Sequence, residues 1–301
     1  MPRPDDPELD VQELTVLIEA ARREDLGTAG DLTTQLMTPE RREEKRSWVI
    51  RARAAGRFCG RDVLPTLVEK LTPNTELTWL LAADRGDDVT PGDAIARLAG
   101  PTAEILAAER TILNFLQRLS GIATLTARYV TAVAGTGAEI FDTRKTTPGL
   151  RSLEKYAVRC GGGRNHRCGL HDAVLIKDNH LAGIPPDRLA RGVFEMLNGA
   201  DSLPARPRFV EAECDRLDQL GELLKVVGID VILLDNFETS DLRRAVELRD
   251  AAGLRGKVAL EASGGVTLDS VRRVAETGVE RIAVGAITHS APALDLGLDP
   301  P

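Results

Sequence analysis

The 301-residue sequence predicts an α/β protein with two parts: a small N-terminal α+β unit and an incomplete, TIM-like α/β barrel of about six strands. Three observations carry this. From residue 138 onward, short apolar strands alternate with helical patterns, as in βα units that build a parallel sheet. The stretch 138–287 is much shorter than the ~250 residues of a full eight-stranded barrel. Each strand candidate is followed by charged or glycine-rich residues, as expected where strand ends converge on one functional face.

The elements follow in order. Leu9, Leu14, Leu17, Ile18 and Ala21 recur at helical spacing and end in the polar loop Glu24–Asp31. Trp48–Arg53 reads as a strand, Asp62–Leu71 as a helix and Leu77–Leu81 as a strand. The turn-rich run Asp84–Asp93 leads into Ala94–Leu98. Helical spacing resumes at Ile105, is punctuated by Ser120-Gly121, and continues to Val133. That punctuation suggests domains at 1–120 and 121–287, with 288–301 a tail packing back toward the first. The barrel strands are Glu139–Phe141, Ala173–Ile176, Phe209–Ala212, Val231–Leu234, Val258–Leu260 and Ile282–Val284. Asp215 is a candidate cap for a helix facing inward with Leu217, Leu220, Leu224 and Val227, and Thr267 for one with Val271, Val274 and Ala275.

Composition narrows the function. The chain is 43% hydrophobic, which argues for a packed core, and no apolar run reaches the ~18–20 residues of a membrane helix. The N-terminus does not read as a signal peptide, and four cysteines without a C-x-x-C pair suggest a reducing, cytoplasmic setting. A net charge of −7 and 3% aromatic residues speak against a nucleic-acid partner. Yet the window Phe141–His180 carries a net +4 and three of the four histidines, a pattern suited to a small polyanion.

The strand ends supply the chemistry. In order they read Asp142-Thr143-Arg144-Lys145, Lys177-Asp178-Asn179-His180, Glu213, Asp235-Asn236, Glu261 through Gly265, and Gly285-Ala286. Ser263-Gly264-Gly265 and Gly285-Ala286 sit where barrels place phosphate-binding backbone amides. Glu213 and Asp235 suit ribose hydroxyls or a hydrated Mg²⁺. Arg144, Arg167, Lys177 and His166 suit a compact di-acid, because guanidinium forks match carboxylates. Val231–Asn236 superficially matches the acidic strand of type I phosphoribosyltransferases, but Asn236 replaces the second acid and no small-residue phosphate loop follows. Cys160 and Cys168 near His166 and His171 fit no zinc spacing and read as packed thiols. Gly161–Gly163 reads as a helix end that leads His166-Arg167 into the site. A Schiff-base aldolase barrel using Lys177 and a non-catalytic anion-binding module remain as competing readings.

The run Asp142–Arg151, continued by Glu154–Val158, Gly161–Arg167 and Leu175–His180, closely resembles the quinolinate phosphoribosyltransferase family. Glu24–Gly27, Glu109–Thr111, Ser120–Thr124, Glu211, Glu213, Leu234–Phe237, Ser263–Gly265 and Val284–Ala286 extend the resemblance over nearly the whole chain. Ala212 and Cys214 stand where the family more often has aliphatic residues, which touches packing only. The resemblance implies an N-terminal α/β sandwich domain and transfer of phosphoribosyl from phosphoribosyl pyrophosphate to quinolinate with loss of CO₂. It implies Arg110, Thr143, Arg144, His166, Arg167 and Lys177 as quinolinate ligands. It also implies Lys145, Lys177, Glu213, Asp235, Ser263, Gly264, Gly265, Gly285 and Ala286 around the phosphoribosyl group. Lys145, Glu213 and Asp235 would be catalytic, the last two holding Mg²⁺ through water. Arg110 would reach the neighbouring site of a homodimer. The alternative within the same resemblance is a nicotinate phosphoribosyltransferase that skips decarboxylation.

Overall fold

A 31-residue helix, Thr102–Ala132, runs unbroken through Ser120-Gly121, where the sequence suggests punctuation. The pair does not break the helix; it lets neighbouring segments approach it. Buried Ser120 accepts from the Cys59 amide at 2.9 Å through its hydroxyl. A Cβ at position 121 would collide with the Pro292 carbonyl oxygen. Gln117 Nε2 donates to the Leu296 carbonyl at 2.7 Å and Arg118 to that of Ala291 at 3.1 Å, fastening the C-terminal segment along the helix.

The computed structural model describes residues 9–81, 88–199 and 203–301, so Asp84–Asp87 of the turn-rich run and residues 1–8 lie outside the described residues. Contacts group the chain into two units. The first holds the residues up to Ala127 with Thr147–Gly162 and Ser290–Pro301; the second holds Arg128–Thr146 and Gly163–His289. In this grouping the helix Arg151–Cys160 belongs to the first unit, whereas the sequence reading places it within 121–287.

The first unit is built on an antiparallel sheet. Its strands are β1 (Lys45–Ala52), β3 (Glu76–Trp79), β5 (Ala94–Pro101) and β12 (Leu296–Asp299), in the order β12-β1-β5-β3. A short pair, β2 (Gly56–Arg57) with β4 (Asp88–Val89), lies apart from it. The sequence reading assigns no strand to β12, whose Leu-Gly-Leu-Asp lacks β-branched residues; pairing of Ile50 with Leu298 supplies what propensity does not. The helix Val11–Leu26 is capped by Asp10, which accepts from the amides of Gln12 and Glu13, and it packs on the helix Leu64–Leu71.

The second unit contains a six-stranded parallel sheet of β6 (Glu139–Phe141), β7 (Val174–Ile176), β8 (Val210–Cys214), β9 (Val231–Asp235), β10 (Ala259–Ser263) and β11 (Arg281–Ala283). Its order is β6-β11-β10-β9-β8-β7, so the first strand pairs with the last and the sheet curls into an incomplete barrel. On the free side of β6, Arg164 forms a parallel bridge with Phe141. Thr267 caps the helix Leu268–Ala275 with Val271, Val274 and Ala275 buried, as its spacing predicts. Asp215 does not cap its helix. Arg216 starts Leu217–Leu223, the helix stops before Val227 can turn inward, and Val227 is exposed while Val226 is buried.

Replacing Gly121 by Ala gains about 1 kcal/mol of helix propensity. The clash with the rigid Pro292 carbonyl outweighs it, because overpacking costs about 1–3 kcal/mol. Urea denaturation of Gly121→Ala should show a net loss of up to about 2 kcal/mol; higher stability would show that the C-terminal segment moves aside freely.

Candidate active site

Pleat parity decides which side chains enter the barrel. Register aligns Leu175 with Glu211 and Val231, Glu213 with Leu233 and Glu261, and Asp235 with Ser263. Successive strand residues face opposite sides, so these odd-numbered residues point inward while Ala212, Ile232, Leu234, Leu260 and Ala262 pack beneath the helices. The inward set opens onto a cavity of about 420 Å³, which Thr143, Arg144, Lys145, His166, Arg167 and Lys177 complete above Leu175, Leu233 and Ala283.

Arg144, Lys145, Arg167, Lys177 and His166 therefore share one cavity with three carboxylates, Glu213, Asp235 and, at its floor, Glu261. Lys177 Nζ lies 2.8 Å from Glu213 Oε2. Asp235 ends β9 and accepts from Asn236 Nδ2 at 2.8 Å, while Asn236 turns the chain with φ of 56°. That turn explains Gly264: a side chain there would strike Asn236, and its own φ of 97° favours glycine. Thr288 donates to the Lys145 carbonyl at 2.8 Å, tying the end of β11 to the loop that carries Lys145. The cavity wall thus holds Thr143, Arg144, Lys145, His166, Arg167, Lys177, Glu213, Asp235 and Ser263 of the expected residues. Gly264, Gly265, Gly285 and Ala286 follow β10 and β11 without lining it, and Arg110 is exposed on the long helix of the first unit. The other cations of the +4 window are absent from the wall: Arg151, Lys155 and Arg159 lie on the helix Arg151–Cys160, and Arg164 pairs with Glu139.

Beneath the cavity is a buried ionic layer that the sequence reading misses. It takes Glu261 as a strand end, whereas Glu261 is the middle residue of β10 and fully buried. Glu211, also fully buried, lies 2.7 Å from His166 Nε2, and Glu261 lies 3.4 Å from it. Arg281 Nε is 2.6 Å from the other Glu261 oxygen, and its guanidinium stacks 4.0 Å from the Phe141 ring centroid. The visible signal was the alternation Glu211-Ala212-Glu213, which puts two acids on one face of a strand. Burial raises the Glu211 carboxyl, with the Glu261 charge adding to it; Glu261 is held below its usual range because His166 and Arg281 outweigh its burial. Burial acts to lower the His166 imidazole, but the two carboxylates outweigh it and raise it to about 9. The Arg167 amide lies 2.7 Å from Nδ1, a contact that favours a neutral ring. One such bond is worth only about 1 kcal/mol, less than two buried carboxylates exert, so the cation prevails.

Magnesium fits the donor set at Glu213 and Asp235: two hard oxygen donors at an open cavity leave room for the waters this ion keeps. The tighter group of His166, Glu211 and Glu261 is buried and includes an imidazole, which does not suit it.

A parallel barrel with cations, carboxylates and glycine turns at one mouth defines an enzyme acting on small, highly charged anions. Residues 122–299 match the quinolinate phosphoribosyl transferase C-terminal domain and residues 31–120 the N-terminal domain of that family. The chain is 40% identical to the probable nicotinate-nucleotide pyrophosphorylase [carboxylating] of Bacillus subtilis over 92% of its own length and 89% of that protein's. It is 40% identical to the nicotinate-nucleotide pyrophosphorylase [carboxylating] of Mycobacterium leprae, covering 94% and 95% of the two chains. The solved nicotinate-nucleotide pyrophosphorylase of Francisella tularensis superposes with a TM-score of 0.86 at 39% identity, over 97% of each chain. The chain belongs to the quinolinate phosphoribosyltransferase family.

Because the His166 ring is raised from an unfolded value near 6.5 to about 9, its contribution to stability is fully present below pH ~6.5 and is lost as pH rises through 9. The stability difference between wild type and His166→Gln should therefore shrink across that window, with the ring titrating near 9 by NMR. A gap that widens with pH would contradict the assignment.

Proposed function

We propose that this protein transfers the phosphoribosyl group of phosphoribosyl pyrophosphate to quinolinate, forming nicotinate mononucleotide, pyrophosphate and CO₂. The observation that carries the reading is the single cavity that sets Arg144, Lys145, Arg167 and Lys177 opposite Glu213 and Asp235. Arg144 and Arg167 offer two guanidinium forks for two adjacent carboxylates, which a mono-acid would not require. This favours quinolinate over nicotinate as substrate. A Schiff-base role for Lys177 is disfavoured because its ammonium is paired with Glu213, whereas such a nucleophile needs a free amine.

In the reaction the bond between ribose C1 and the pyrophosphate oxygen breaks, and the leaving group takes the electron pair. Glu213 and Asp235 stabilise the positive charge that develops on the ribose, and Lys145 faces the phosphates. The pyridine nitrogen then bonds to C1 and becomes a pyridinium. The adjacent carboxylate departs as CO₂, its bonding pair is held at the ring carbon beside the pyridinium nitrogen, and a proton replaces it there. Mg²⁺, when bound at Glu213 and Asp235, would neutralise charge on pyrophosphate. The chain's own groups contribute mainly positioning and electrostatics, with no covalent enzyme intermediate.

Further parts of the reading are a homodimer, with Arg110 completing the partner's site, and a cytoplasmic location. The exposure of Arg110 supports the former and the buried thiols of Cys59, Cys160 and Cys214 the latter. No helix among the described residues is long and apolar enough to cross a membrane.

Protein supplied with carboxyl-labelled quinolinate, donor and Mg²⁺ should release labelled CO₂; absence of turnover by folded protein would overturn the reading. Chelation of divalent metal should abolish that release, and restoration should follow Mg²⁺ addition. Lys145→Ala should lower kcat by about 100-fold or more. Arg110→Ala should fold but lose activity, and mixing its subunits with those of Lys145→Ala should restore some. Full activity of Arg110→Ala alone would remove the shared-site proposal.

A further inference from the structure

Within the cavity two like charges face each other. Burial, and after it the charge of Arg144, lowers the Arg167 guanidinium. Something must hold Arg167 there, and its backbone segment is gripped at both ends. Upstream, the fully buried Asp142 accepts from Asn165 Nδ2 at 2.6 Å and from the His166 amide at 2.8 Å. The Arg164 amide donates to the Ile140 carbonyl at 2.7 Å, fixing the same stretch along β6. Downstream, one carboxylate does comparable work. Asp172 Oδ2 accepts from the Cys168 amide at 2.8 Å and Oδ1 from the Gly169 amide at 2.9 Å. Arg208 NH1 lies 3.3 Å from that carboxylate, and the Arg208 amide donates to the Asp172 carbonyl at 2.9 Å, anchoring it beside the start of β8. Asp172 is not part of the cavity wall.

We propose that Asp172 is a positioning residue for the di-acid site: by gripping the Cys168 and Gly169 amides it holds Arg167 against Arg144 before substrate arrives. Binding of a dicarboxylate then relieves a repulsion already built into the fold, and no loop has to be ordered at that moment. The proposal rests on the quinolinate reading above. It makes a specific demand on residue 172, because a carboxylate offers an acceptor to each amide. An asparagine offers one acceptor and turns an NH₂ group toward the other amide.

The test is steady-state kinetics of the full chain, wild type and Asp172→Asn, with each substrate varied in turn. The KM for quinolinate should rise about tenfold while the KM for phosphoribosyl pyrophosphate stays within about twofold and kcat falls less than about threefold. A rise shared equally by both substrates, or no rise, would overturn the proposal. Should Asp172→Asn fail to fold, Arg208→Met loosens the same carboxylate from outside the cavity. Its quinolinate KM should rise about threefold with the donor KM unchanged, and an equal or absent change counts against the proposal in the same way. Wild-type turnover in the same assay keeps this outcome separate from failure of the quinolinate reading.

Discussion

The pairing of β6 with β11 is the constraint on which the site depends. Five of the six parallel strands follow each other in space as they do in sequence; the sixth, which comes first in the chain, is carried around to lie beside the last. Only that curl brings Asp142-Thr143-Arg144-Lys145, at the end of β6, to the same mouth as Glu213, Asp235 and Ser263. The bond from Thr288 to the Lys145 carbonyl and the packing of Lys145 against Gly285 reinforce the same seam. An open sheet of identical strands would leave the cations at one edge, with no carboxylates opposite them.

Charge is handled in two layers. At the mouth, cations outnumber carboxylates, which leaves a surplus for anionic ligands. One level down, His166 and Arg281 are ion-paired with Glu211 and Glu261, so opposite charges offset one another in the buried layer. The ring of His166 forms part of the cavity wall, yet its nitrogens are directed at Glu211 and the Arg167 backbone. It therefore links the internal layer to the segment that presents Arg167, and Asp142 and Asp172 hold that segment from either side. The geometry of the mouth depends on carboxylates that do not line it.

Much of this was legible in the sequence because the relevant information is local. Strand candidates fell within a few residues of β6 through β11, since short apolar runs flanked by polar residues leave little choice of position. Polar residues at those ends marked Arg144, Lys145, Lys177, Glu213 and Asp235, all of which reach the cavity. The misses are non-local. Ser120-Gly121 looks like punctuation until the segment 291–294 is seen packed on it. Val227 fits a helical stripe that the chain abandons at Leu223. Glu261 looks like a strand end because acids seldom occupy barrel interiors, and only its partners Arg281 and His166 make that placement affordable.

By itself, then, the sequence determined the parallel barrel, its strands and the inventory of charged groups, because hydrophobic period and residue chemistry are properties of short segments. The tertiary structure alone decided which of those charges face one another. Of eight basic residues in the +4 window, four line the cavity; the assignment follows from strand register and from which side of the chain each pleat presents. Spacing along a chain does not encode that choice. Residues 142 and 165, or 211, 261 and 281, become neighbours only when the sheet closes and their charges must be matched out of water.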